Sequence, residues 1–447
     1  MTEALVQTKN VVEIPRKRNK KQIFFDIVFL IGWVSCLFLG AFPQYTTLLS
    51  LVLTLSVVIC FFSDNFYLYT ALFMFVRYKA LIGETPVYRL YSYMMVLKFI
   101  WELPKLKIRM IYLPSILVFA LHCIFATGNY NMRLGLNVLV DLIIVYIALM
   151  KVLADDKLMR RFFMVFMLGG VTSGVYGWTS EDSYVDINVR GGGNEEVNRN
   201  FGSLGDVNFA AMFYVVSIYV AIFLKNVPKW LKYVFIAIFT VLLLQTASLS
   251  GLILLVALGV IAIILKFRKN SVIILSAGIF LAVVGLSVLL TVPQFREIKA
   301  ISGLIIRISE KMRYVFMGRW DLLTTDRANL WAAAYSIFAE KSLWGKLFGG
   351  SVITVILIVT SLKATDWACH QSYLQSLLNF GILGTLIIYM LLFAVTAYRV
   401  IQHFLKPAGY DNEDIKILQI IFAFAFIIFG MSVDFFLDWP YLFFYFI

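Results

Sequence analysis

Apolar runs of roughly 17 to 25 residues recur from Ile23 to Val433, and a run of that length is what a helix needs to cross the ~30 Å hydrocarbon core of a bilayer. Backbone that enters lipid must satisfy its own hydrogen bonds, so these runs are expected to be helices rather than strands. Hydrophobic residues make up 61% of the chain and charged residues 15%, well under the about 25% charged residues of soluble domains. A water-soluble fold is set aside on that ground. The expected fold class is an all-α polytopic integral membrane protein with about 12–14 transmembrane helices and a long extracytoplasmic loop containing short amphipathic helices.

The formal net charge of +13 would point to nucleic acid in a soluble chain. Here Lys and Arg gather in short segments between apolar runs, where they set orientation and meet anionic lipid, so no nucleic-acid partner is expected. Cys36, Cys60 and Cys123 lie inside apolar segments, and the four cysteines show neither a disulfide framework nor zinc spacing. Arg16, Lys17, Arg18, Lys20 and Lys21 precede a first apolar run too long for a cleaved signal sequence, which reads as a retained span.

The runs fall near residues 23–42, 46–62, 65–82, 87–103, 110–127, 134–153, 160–178, 207–224, 230–246, 249–266, 271–292, 371–400 and 415–433. With residues 1–22 as a basic cytoplasmic N-terminus, alternation places Lys105/Lys107/Arg109, Lys157/Arg160/Arg161, Lys225/Lys229, Lys266/Arg268/Lys269 and Arg399/Lys406 on the same side, as the positive-inside rule requires. Residues 23–292 are then membrane helices with an outer loop at 179–206, residues 293–370 form a long extracytoplasmic loop, and residues 371–447 hold the C-terminal spans. Arg77 and Arg89 fit this scheme poorly and point to a half-inserted 65–103 region. The tail from Asp434 to Ile447 is too short for an ordinary crossing.

Within the long loop, Ile298, Ile301, Leu304, Ile305 and Ile308 share one helical face while Arg296, Lys299, Arg307, Lys311 and Arg313 lie elsewhere, the pattern of a helix on the bilayer surface. Thr325 and Asp326 are good caps for a second helix running through Arg327, Trp331, Ala334 and Phe338 to breaks at Gly345 and Gly349. The apolar run Ser351 to Leu362 is too short to span and is expected to re-enter the membrane edge or to pack as an extended segment.

Three segments carry residues suited to chemistry. The first is Arg199-Asn200-Phe201-Gly202-Ser203-Leu204-Gly205-Asp206-Val207-Asn208, leading straight into the apolar run at Phe209. The second is Arg327-Ala328-Asn329-Leu330-Trp331, followed by Glu340-Lys341-Ser342-Leu343-Trp344-Gly345. The third is His370-Gln371-Ser372-Tyr373-Leu374, with Gly381 and Gly384 further on. In this order they resemble the O-antigen polymerase and ligase family of lipid-linked glycan enzymes, over roughly residues 199–390. The chain has Val207 where that family usually carries proline, and Leu249 in Thr246-Ala247-Ser248-Leu249-Ser250-Gly251 where it commonly carries arginine. Either another cation takes that place or the donor or acceptor differs.

The resemblance implies a membrane fold similar to the GT-C class, in the bacterial cytoplasmic (inner) membrane, with an extracytoplasmic active site and no metal or other cofactor. Its donor would be a polyprenyl (undecaprenyl) diphosphate-linked oligosaccharide and its acceptor a glycan, with the lipid bilayer, a chain-length regulator and a flippase as partners. By resemblance the catalytic residues are His370, Arg327 and Arg199, and the substrate-binding residues are Asp206, Asn208, Ser248, Trp331 and Tyr373.

The chemistry is independently reasonable. A leaving diphosphate needs fixed cations, and arginine's planar fork binds phosphate oxygens in pairs. An acceptor hydroxyl must lose a proton as it attacks, which suits imidazole, and of three histidines His122 falls in a span and His403 in a cytoplasmic loop. Plainer readings stand beside these: a helix-capping His370, Arg199 and Arg327 paired with lipid headgroups, Asp206 and Asn208 as caps of the following helix. Arg190 and Arg319 read as surface charges, Gly191 to Gly193 resembles no phosphate loop, and Cys369 beside His370 reads as chance adjacency. Trp320, Trp331 and Tyr373 are of a kind that stacks on sugar rings. The rival enzyme is a ligase joining the glycan to a lipid core, protein or wall polymer. The rival class is a transporter, against which stand the few mid-span ionisable residues, chiefly Asp26, Asp141 and His122, and the lack of matching halves.

Overall fold

The computed structural model describes residues 20–102, 112–125, 129–188, 196–225, 227–292, 294, 298–319, 327–350 and 371–433. The segments 103–111, 191–195, 351–362 and 434–447, His370, Cys369, Trp320 and Asp326 lie outside the described residues. The described chain is mostly helical. Its helices are α1 (Lys20–Ala41), α2 (Thr46–Cys60), α3 (Asn65–Val76), α4 (Val87–Glu102), α5 (Leu113–Phe125), α6 (Asn129–Ala154), α7 (Asp156–Thr179), α8 (Val207–Phe223), α9 (Lys229–Gln245), α10 (Leu249–Phe267) and α11 (Ser271–Thr291). Then follow α12 (Lys299–Phe316), α13 (Arg327–Glu340), α14 (Leu343–Phe348), α15 (Ser372–Leu405) and α16 (Glu413–Phe429). Two antiparallel hairpins complete the described elements: β1 (Leu81–Ile82) with β2 (Thr85–Pro86), and β3 (Tyr184–Asn188) with β4 (Glu196–Asn200).

Among the described residues, five helical segments are long and apolar enough to cross a membrane: Lys20–Ala41, Pro43–Cys60, Asp156–Thr179, Leu249–Phe280 and Ser372–Leu405. The shorter apolar helices Asn65–Val76 and Val207–Phe223 are packed among them, and every residue of α3 is buried. A helical, membrane-embedded protein follows from these segments. Several starts are fixed by side chains that take up orphan amides. Asp155 accepts from the amides of Lys157 and Leu158 at α7, and Asp206 from those of Asn208 and Phe209 at α8.

The charged residues sort by end. Asp26 at the start of α1 pairs with Arg161 near the start of α7, and Glu102 at the end of α4 with Lys98 at 3.0 Å and with Lys151 near the end of α6 at 3.4 Å. Arg160 reaches Asp414 at 3.2 Å, and Lys266 at the end of α10 reaches Glu413 at 2.8 Å. Helices that alternate in direction bring their starts and ends together in this way, so the basic groups at 157–161, 225–229, 266–269 and 399–406 share one end of the bundle.

Two expected spans differ in the structure. The run near 65–82 stops as a helix at Val76, about 18 Å long at 1.5 Å per residue, and turns through the β1–β2 hairpin into α4. Arg77, which fitted poorly in sequence, is buried and donates to Asp141 of α6 at 2.6 Å and to the Tyr88 hydroxyl at 3.2 Å. The run at 371–400 is not one straight span either. Gly381 has φ 67°, and the Tyr373 and Tyr389 rings lie 4.6 Å apart, whereas 16 residues of straight helix would separate them by about 24 Å. Residues 372–380 therefore fold back along the rest of α15. Gly345, expected as a break, sits inside α14; the chain breaks at Ser342, whose hydroxyl accepts from the Gly345 amide.

The Arg77–Asp141 pair lies in a buried region, so removing Asp141 takes a close counter-ion from a buried guanidinium. Asp141→Leu is expected to destabilise by about 3–5 kcal/mol, read as a lower thermal midpoint of the detergent-solubilised protein. The double replacement Arg77→Met with Asp141→Leu should recover most of that loss.

Candidate functional site

At the end of the bundle opposite the ion pairs, three arginines arrive from three separate elements. The β3–β4 register sets Arg199 opposite Val185, and the segment behind it is held by its own polar groups. The Asn200 side chain accepts from the Gly202 amide at 2.7 Å and donates to the Gly177 carbonyl of α7 at 3.1 Å. Gly202 has φ 59°, and a Cβ there would collide with the Ser173 and Tyr214 hydroxyls, so only glycine lets the backbone pass. The Ser203 hydroxyl then donates to the Phe75 carbonyl at the end of α3.

Arg199 is 5% exposed and donates from Nε to the Thr246 carbonyl at 2.8 Å. Its Nη2 is buried with no hydrogen-bond partner among the described residues. Arg307, on α12, donates from Nη1 to the Ala247 carbonyl at 2.6 Å. It is carried there because Leu304 and Ile305 bury themselves against the bundle, α12 packing on α9, α10 and β4. The expected bilayer-surface helix thus turns part of its apolar face into protein. Arg327 opens α13 and donates from Nη1 to the Ser432 carbonyl just beyond α16 at 3.0 Å. The same turn receives Ser372, whose amide donates to the Gly430 carbonyl and whose hydroxyl donates to the Val433 carbonyl, both at 2.7 Å.

Polar side chains join the starts of α8 and α10. The Ser248 hydroxyl donates to the Asn208 side-chain oxygen at 2.9 Å and accepts from the Gly251 amide at 3.2 Å, capping α10. Asp206 caps α8 and is the carboxylate whose field supports both Arg199 and Arg327. Burial, then the charges of Arg307 and Arg327, pull Arg199 down to about 9. Burial also lowers Arg307 and Arg327, and the Arg327 charge lowers Arg307 further. None of the three forms an ion pair with a described carboxylate. Each cation is held by a backbone carbonyl instead, which leaves much of its donor fork uncommitted.

Of the residues singled out in sequence, Arg199, Arg327, Asp206, Asn208 and Ser248 are brought to this end together. Trp331 lies one helical turn beyond Arg327 on the same face of α13 and is half-buried. Tyr373 is engaged elsewhere: its hydroxyl donates to the Ile427 carbonyl at 2.6 Å, tying the folded-back arm to α16. His370 lies outside the described residues. In the sequence Arg307 is one of several basic residues off the apolar face. The usable signal was its position three residues after Leu304, at the edge of the buried stripe.

Among the described residues no three His, Cys, Asp or Glu side chains cluster as metal ligands do; the donors that do gather are guanidinium groups. Fold and site together define a membrane-embedded helical protein with a cluster of arginines at one end of its bundle. No protein-family model, curated protein or solved structure matches this chain.

Mutual repulsion among the arginines is relieved when an anion binds, so inorganic diphosphate is expected to raise the thermal midpoint of the purified protein more than chloride at equal ionic strength. Arg199→Gln should shrink that increment. An equal increment in the variant would mean that diphosphate acts elsewhere.

Proposed function

We propose that the protein is a membrane glycosyltransferase of the polymerase type, moving a glycan from a polyprenyl diphosphate carrier onto the sugar of another lipid-linked repeat unit. The observation that supports this reading is the convergence of Arg199, Arg307 and Arg327 at one end of the bundle, where the described carboxylates in their field are Asp206 for Arg199 and Arg327 and Glu310 for Arg307. A diphosphate leaving group at the lipid boundary is an anion of matching charge, and fixed guanidinium donors stabilise the charge that grows as it departs. The basic end of the bundle is cytoplasmic by the positive-inside rule, which makes the arginine end the outer one.

In the reaction the bond from the anomeric carbon to the diphosphate oxygen breaks, and the electron pair leaves with the diphosphate. A hydroxyl of the acceptor sugar forms the new carbon–oxygen bond, and its proton passes to His370. The role of His370 rests on sequence resemblance. Ser372, the second residue after it in sequence, bonds to the 430–433 turn that also holds Arg327. Arg307 supports one answer to the departure at Leu249, because it supplies a cation at the carbonyl of Ala247 in that same turn. Asn208 and Ser248 fix the starts of α8 and α10 around the site.

The decisive assay is chain extension by protein reconstituted with a lipid-linked repeat unit, read as a ladder on a gel. Arg327→Ala and Arg307→Ala are each expected to cut extension by about 100-fold or more, and His370→Ala by about 100- to 10,000-fold, with insertion and thermal midpoint little changed. Wild-type extension by all three variants would remove the mechanism. A single transfer to an added lipid-core or protein acceptor, without a ladder, would mark a ligase. Carrier crossing the bilayer without any new glycosidic bond would mark a transporter.

A further inference from the structure

The helix α14 exposes three large apolar side chains in six residues: Leu343 at 71%, Trp344 at 70% and Phe348 at 58%. The Trp344 and Phe348 rings stack with centroids 5.6 Å apart, making one continuous apolar plate. This plate is rigidly placed. Gly349 ends α14 with φ 86° and meets Gly381 backbone to backbone, where a Cβ on either glycine would collide with the other segment. The bend at Gly381 also frees the Leu378 carbonyl, which accepts from the Gly350 amide at 3.1 Å and from Lys341 Nζ at 2.8 Å.

The far side of the bend fixes the level of lipid. From Ile382 onward α15 is an apolar membrane-crossing helix, and Ile382, Leu383, Leu386 and Ile387 are 37–48% exposed on its outer side. Hydrocarbon must therefore reach the residue next to Gly381, and α14 is locked to that glycine. A tryptophan and a phenylalanine held at that height, with Lys346 in the same short helix, match the chemistry of the headgroup boundary, where aromatic rings settle and lysine stems extend to water.

We infer that α14 is an interfacial anchor whose partner is the bilayer surface, with Leu343, Trp344 and Phe348 seated between headgroups and acyl chains. The anchor fixes the depth of α13, because Leu330 and Ala334 of α13 pack on Leu378 immediately before the bend. The inference does not depend on the transferase reading.

Collisional accessibility tests it. A nitroxide is attached at Leu343→Cys or Phe348→Cys in full-length protein lacking Cys123 and Cys369, with the buried Cys36 and Cys60 retained. The protein is reconstituted in phosphatidylethanolamine and phosphatidylglycerol vesicles. Oxygen should relax both labels more than a water-soluble nickel chelate does, and the order should reverse at the exposed turn position Glu84→Cys. Chelate dominance at 343 and 348 would overturn the anchor, and so would exclusion of both reagents, which would mean that protein covers the plate. Should a labelled variant fail to fold, Trp344→Phe in otherwise native protein gives an independent reading. Quenching of tryptophan fluorescence by bromine-substituted acyl chains should fall in that variant, and undiminished quenching would overturn the inference.

Discussion

Three guanidinium groups held within one another's field repel, and burial adds to the cost of each charge. What keeps them in place is the set of carbonyls released where helices end. Thr246 and Ala247 follow α9, and Ser432 follows α16. A helix C-terminus leaves carbonyls unpaired and carries partial negative charge, so an arginine placed there is the favourable partner. The starts of α8, α10 and α13 point to the same end of the bundle and present partial positive charge there. C-terminal ends thus hold the cations from behind, and N-terminal ends add to the positive field in front.

The opposite end of the bundle uses charge differently. Asp26, Glu102, Glu413 and Asp414 each meet a lysine or arginine, so the cations there are spent on joining helices. Glu413 and Asp414, at 2% and 3% exposure, draw α7 and α10 onto the start of α16. Buried pairs of this kind fix register more than they raise stability. One end pairs its charges, and at the other, among the described residues, Arg199, Arg307 and Arg327 are held by backbone carbonyls rather than by ion pairs, a division between scaffold and site.

Much of this was readable in the amino-acid sequence because apolar run length is a direct consequence of bilayer thickness. The limits of α8 follow from the run and from Asp206 as its cap, and α13 begins just after Thr325 and Asp326, as those capping residues imply. Resemblance and chemistry together also selected Arg199, Arg327, Asp206, Asn208 and Ser248, which the fold gathers at one end. The failures have a common cause. Hydropathy is blind to direction, so residues 372–380 folding back at Gly381 read as the same apolar run as a straight helix. It is equally blind to distant partners: Arg77 finds Asp141 64 residues away, and a lone arginine beside an apolar run reads only as a misfit.

Arg307 shows why a site residue can escape a motif search. Its position is specified by packing rather than by neighbouring residues, since it reaches Ala247 only because Leu304 and Ile305 seat α12 against the bundle. A cation supplied from within the turn itself would be fixed by that turn's backbone. One supplied by a separate helix moves with the helix, and its distance from Arg199 and Arg327 varies with how α12 rests on α9 and α10. The place of Arg307 in the site and the seating of α12 are therefore set together, by the burial of Leu304 and Ile305 against the bundle.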